Sequence, residues 1–144
     1  MLINNILNTI QITENIYTSG QPTPDQFQII ADVGYQNIIN LAMPDSTNAL
    51  PDEGGFVSEA SMNYFHIPVP FDAPTREHLQ LFLKLMRILE GEMIWVHCAL
   101  NWRVSAFMQH YQRSVLKLDE TQQTPMLESW EPDDIWLAFL AIDI

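Results

Sequence analysis

The sequence predicts an α/β fold with a mostly parallel central sheet and helices on both faces. Three observations lead there. Short β-prone runs alternate with longer stretches of helical period, as in repeated strand–helix units. One run, Met93-Ile94-Trp95-Val96, is continuously apolar, as expected of a parallel strand covered on both faces. The chain has 144 residues, 47% of them apolar and 17% charged, enough for one domain with a real core. No internal repeat, low-complexity tract or long linker divides residues 1–144.

The elements follow in order. Ile16-Tyr17-Thr18-Ser19 is a short β-prone run that Gly20-Gln21-Pro22 ends. Thr23 then caps a helix with Pro24 in its first turn, which buries Phe27, Ile30 and Ala31 and stops at Gly34. Asn37 to Leu41 reads as a buried strand, Pro44 to Gly55 as turn-rich, and Phe56 to Met62 as a short helix. Tyr64 to Val69 is the next strand. Thr75 to Glu90 is the clearest helix, with Leu79, Phe82, Leu83, Met86 and Leu89 at three- and four-residue spacing and Gly91 closing it. After Met93 to Val96, helical period returns from Val104 to Leu116. The tail from Pro125 to Ile144 reads as helical, broken near Pro132, with Trp130, Trp136, Phe139 and Leu140 as core.

A net charge of −12 repels nucleic acid and anionic lipid, and the six Lys and Arg residues form no cluster. Neither a nucleic-acid nor a membrane partner is expected. No apolar run approaches the roughly 20 residues that span a bilayer, and Met1 to Ile12 lacks the basic start and cleavage site of a secretory signal, so a cytoplasmic location is expected. His66, His78 and His110 have no ligand-like spacing, so no metal is expected. Asp45, Asp52 and Glu53 read as a solvated loop.

Chemistry concentrates in Val96-His97-Cys98-Ala99-Leu100-Asn101-Trp102-Arg103-Val104-Ser105. A buried strand runs into Cys98, a short loop follows, and a helix begins near Arg103. Ligands of open α/β sheets bind beyond the carboxyl ends of the strands. There the amides of Ala99, Leu100, Asn101 and Trp102 and the helix N-terminus converge and attract an anion. The same field favours thiolate over thiol. Arg103 adds a planar fork suited to a tetrahedral oxyanion. Read singly, each residue has a plainer reading: Cys98, the one cysteine, as a small buried hydrophobe, and Arg103 as a surface ion-pair partner. Together they suit nucleophilic attack on a bound oxyanion. His97 is expected to orient the loop by hydrogen bonding, its side chain opposite that of Cys98. Leu100 is expected to pack beneath neighbouring loops; Trp102 either packs or walls a substrate pocket.

The Val-His-Cys strand end, loop arginine and helix resemble the cysteine-dependent protein tyrosine and dual-specificity phosphatases. Ser19-Gly20-Gln21-Pro22 and the His-Cys-x-x-x-x-Arg loop of His97 to Arg103 are similar to a bacterial branch of phosphatase-like proteins related to the beta-lactamase hydrolase-like domain. The resemblance runs from about Ile16 to Trp136. It implies a phosphatase-like three-layer fold, a phosphocysteine intermediate, no metal or other cofactor, and a phosphorylated small molecule or phosphoprotein as partner. It places the general acid at Asp72, in Pro70-Phe71-Asp72-Ala73-Pro74, a role that asks for a raised pKa beside Phe71. The alternative for Asp72 is a turn cap before Pro74. It also places at Ser105 a hydroxyl that stabilises the leaving thiolate.

The chain departs from that superfamily in two ways. Four residues separate Cys98 from Arg103 where five are usual, a shorter loop shared with rhodanese-type sulfurtransferases. No glycine interrupts the loop, and Asn101, which tolerates left-handed backbone, stands where relatives carry one. Persulfide transfer and phospho-ligand binding without turnover therefore stand beside phosphate monoester hydrolysis.

Overall fold

The computed structural model describes residues 2–144. Its middle layer is a five-stranded sheet in the order β1-β2-β5-β3-β4. The strands are β1 (Ile10–Thr13), β2 (Ile16–Ser19), β3 (Asn37–Asn40), β4 (Asn63–His66) and β5 (Ile94–His97). β2, β5, β3 and β4 pair in parallel, and β1 folds back antiparallel on β2. Every residue of β3 and β5 is buried, since both strands are flanked by other strands and covered on both faces.

Side chains of β5 alternate between two apolar layers. Ile94, Val96 and Cys98 face the layer of α3 (Arg76–Ile88), α4 (Trp102–Ser114) and α5 (Asp134–Leu140), packing with Phe82, Phe107 and Trp136. Trp95 faces the other layer, with Phe27 and Ile30 of α1 (Pro24–Val33), Val57 of α2 (Glu53–Glu59) and Ile3 of an N-terminal 3-10 turn, Leu2–Asn5. The three-layer α/β arrangement is as expected.

Local chemistry explains the helix ends. Thr23 and Gln26 form a reciprocal capping box before α1, and Gly34 closes it at φ 116. Thr75 and His78 do the same for α3, Thr75 Oγ accepting from the His78 amide and His78 Nδ1 from the Thr75 amide. His78 is thereby accounted for as a cap.

Three expectations need correction, and one strand was not anticipated. The strand expected to reach Val69 ends at His66. Ile67 and Val69 still donate to Asn40 and Leu41, but Pro68 and Pro70 bring no amide and the ladder stops. The helix expected over 56–62 starts earlier, at Glu53, and ends at Glu59. The tail is helical only over Asp134–Leu140. Within the segment before it, the Leu127 amide donates to Ser105 Oγ at 3.1 Å, so a side chain takes a bond a helix would have used. Trp130 is core as expected but lies outside that helix. β1 was not anticipated: four residues with a register shift carry too little period to read. No described helix is long and apolar enough to cross a membrane.

Candidate active site

The loop Cys98 to Asn101 leaves the central strand and enters α4 through Asn101, whose φ of 67 is left-handed, as expected for the missing glycine. Its back is tied down throughout. The Ala99 carbonyl accepts from the Gln21 amide and Asn48 Nδ2, both at 3.0 Å. The Leu100 carbonyl accepts from Asn8 Nδ2, and Asn101 Nδ2 donates to the Asn8 carbonyl and Thr18 Oγ. Gly20 runs so close behind that an added Cβ would fall 2.7 Å from the Ala99 carbonyl oxygen. The Ser19-Gly20-Gln21-Pro22 segment thus has a structural reason: it braces the loop.

The front is different. Among the described residues, none of the amides from Ala99 to Val104 donates to a protein acceptor. Arg103, on the first turn of α4, is almost wholly buried. One terminal nitrogen donates to the Val69 carbonyl at 2.9 Å and its Cζ lies 5.6 Å from the Phe71 ring centroid, yet its Nε meets no acceptor. A buried donor left unpaired, as Arg103 Nε is, is costly and rare. Cys98 and Arg103 both line a cavity of about 150 Å³ with Phe71, Ala99, Leu100 and Trp102. A neighbouring groove of about 670 Å³ shares Phe71, Ala99, Leu100 and Arg103 and adds Met43, Asp45, Ser46 and Asp72. Donors with nothing to donate to, a cation and a thiol in one recess form a seat for an anion.

The other expected residues divide. Asp72 is exposed in the wider groove rather than enclosed beside Phe71. Leu100, expected to pack, is instead exposed and lines both recesses. Trp102 both walls the small cavity and stacks on Trp130, centroids 6.0 Å apart. The Asn101 side chain points back to Asn8 and Thr18, leaving only its amide to contribute. Ser105 Oγ accepts from the Leu127 amide at 3.1 Å, and no hydrogen bond joins it to Cys98 Sγ among the described residues.

Glu53 was misread. It is buried, with Oε2 2.6 Å from His97 Nε2 and Oε1 accepting from Gln21 Nε2 at 2.7 Å. Burial alone would raise its pKa, but the bond and charge of His97, with bonds from Gln21 and Tyr64, hold it below the ordinary value. His97 is fully buried, its Nδ1 3.1 Å from the Cys98 carbonyl, on the opposite face from the thiol as expected. No local signal in Asp52-Glu53-Gly54 announces that pairing.

Fold and site define a phosphatase-like protein of the cysteine-dependent protein tyrosine phosphatase superfamily. Over residues 5–135 the chain matches the family described as "PTP-NADK: DSP-PTPase phosphatase fused to NAD+ Kinase", and it belongs to that family. A crystal structure from Shewanella putrefaciens CN-32, described as "Putative phosphatase (DUF442)", is similar at 32% identity and a TM-score of 0.89, covering 96% of this chain and 91% of that one. TpbA of P. aeruginosa shares the fold at 15% identity and a TM-score of 0.73, covering 93% and 83%. The beta-lactamase hydrolase-like protein of Xylella fastidiosa (strain Temecula1) is 33% identical over 98 residues, 64% of this chain. That match spans only 22% of the relative's length.

Proposed function

We propose that the chain hydrolyses phosphate monoesters through a phosphocysteine intermediate. The observation that carries this is the unsatisfied front of the loop: the amides from Ala99 to Val104 and Arg103 Nε, beside Cys98, have no protein acceptor among the described residues. The Cys98 thiolate attacks phosphorus, forming an S–P bond as the bond to the leaving oxygen breaks. The Asp72 carboxylic acid protonates that oxygen. Water then gives a proton to the Asp72 carboxylate and attacks phosphorus, releasing orthophosphate and returning the thiolate. Arg103 and the amides hold the equatorial oxygens in both steps.

The recess suits one phosphoryl group on an aromatic or apolar carrier, a small molecule or a protein side chain. Met43, Pro70, Phe71 and Leu100 supply apolar surface, while Asp45 and Asp72 disfavour a second anionic group. The test is turnover of an aryl phosphate by wild type and Cys98→Ser. The serine variant is expected to be inactive, and retained turnover would discard the mechanism. Asp72→Asn should slow esters with poor leaving groups more than those with good ones.

The four-residue loop favours a second reading, sulfur transfer. Here Cys98 attacks the outer sulfur of thiosulfate, sulfite leaves, and a persulfide remains. A mass gain of one sulfur on Cys98 after thiosulfate, without aryl-phosphate turnover, would select it. Phosphate binding with neither reaction would mark a phospho-ligand module.

A further inference from the structure

We propose that Asp45 is a specificity residue, selecting phosphate esters whose carrier bears an ammonium or guanidinium group. This rests on the Cys98–Arg103 anion seat and deepens the preceding reading. The cations of the chain are unevenly placed. Among the described residues Arg103 is the one Lys or Arg that lines either recess, almost wholly buried and with its Nε unpaired. The other five lie outside both recesses: Arg76, Lys84 and Arg87 of α3, Arg113 of α4, and Lys117 just beyond it.

Two exposed carboxylates, Asp45 and Asp72, share the wider groove with that single cation. The one ion pair among the described residues joins His97 to Glu53, so neither groove carboxylate is neutralised. The segment that carries Asp45 is tethered to the seat. Ser46 Oγ lies 3.5 Å from a terminal nitrogen of Arg103, and Asn48 Nδ2 donates to the Ala99 carbonyl at 3.0 Å. Asp45 therefore stands at the rim. Asp72 holds the proton for the leaving oxygen in the reading above, which leaves Asp45 as the anion beside a seated ester. Such an ester puts its phosphoryl group on Arg103 and the loop amides and its carrier along Phe71 and Leu100. A cation on that carrier is attracted to Asp45, whereas a second anion meets a like charge with no Lys or Arg to offset it. The net charge of −12 adds to the bias.

The test is competition for the seat by benzylphosphonates, which are not hydrolysed. As the chain has one cysteine, intact mass after a small alkylating agent reports protection of Cys98 alone. An aminomethyl-substituted compound is expected to protect wild type at about fivefold lower concentration than the unsubstituted one, the upper scale of an exposed ion pair. A carboxylate-substituted compound should need about fivefold more, and added salt should shrink both gaps. Asp45→Asn should lose most of this ranking and Asp45→Lys should reverse it. Equal protection by all three compounds in wild type, or an unchanged ranking in Asp45→Asn, would overturn the proposal. Turnover of the matching aryl phosphates is read in parallel. Ranked protection without turnover would sink hydrolysis and leave the selectivity standing; turnover without ranking would do the reverse. Phosphonate peptides flanked by Lys, Ala or Glu separate the sources: a wider ranking among them assigns the carrier to a protein, a narrower one to a small molecule.

Discussion

The loop after Cys98 has a largely satisfied back and an unsatisfied front. Behind it, the Ala99 and Leu100 carbonyls and Asn101 Nδ2 find partners in Gln21, Asn48, Asn8 and Thr18, while Asn101 Oδ1 has none among the described residues. In front, amide donors and Arg103 Nε find none among the described residues. A folded chain ordinarily pairs its buried polar groups, so the asymmetry marks where a ligand completes the set. The bracing of one side keeps the other open: a slack loop would turn its amides onto its own carbonyls. Asn101 shows both roles, its amide in front and its side chain behind.

The contrast can be broken from either side. Arg103→Lys acts on the front, replacing a planar fork by a point charge. We expect kcat/KM for an aryl phosphate to fall by about 10²–10³, the scale of removing an oxyanion donor. A tenfold loss or less would show that the guanidinium is not in the recess during turnover. Gly20→Ala acts on the back, where the new Cβ would collide with a backbone carbonyl. Denaturant titration should show a loss of about 1–3 kcal/mol, as for overpacking elsewhere.

The Glu53–His97 pair offers a gentler lever through pH. Folding lowers the Glu53 pKa, so the unfolded chain binds more protons. Its stabilisation is full above the unfolded carboxyl pKa of about 4.3 and is lost as pH falls through the lower folded value. The stability gap between wild type and Glu53→Gln should therefore narrow steadily below about pH 4, and a gap that widens in acid would contradict the pairing. Smallest is Asn101→Gly, which relieves a left-handed residue but deletes two side-chain bonds. These oppose each other, and the net change should stay within about 1 kcal/mol by thermal melting.

The parts of the site legible in the sequence were those carried by neighbours in the chain. Cys98, Arg103 and the loop amides lie within six residues, so strand-loop-helix patterning alone brings them together. The left-handed Asn101 followed from the absent glycine by residue type. Leu100 was misjudged because an apolar residue in a loop usually packs inward, whereas here both flanking carbonyls are bonded on the inner side. Asp72 falls in the groove, but its exposure depends on how Pro70 and Phe71 turn, which no spacing records.

What the sequence by itself determined is the alternation of strands and helices, the Thr23 cap, and a thiol, an arginine and free amides at a strand end. These are short-range matters of period, propensity and capping, decided within a few residues. Tertiary structure alone decided that Glu53 meets His97 across 44 positions, that Asn8 reaches Leu100 across 92, and that Gly20 presses on Ala99. Such contacts depend on which strands become neighbours in the sheet, and a polar residue looks the same in sequence whether water or a buried partner satisfies it.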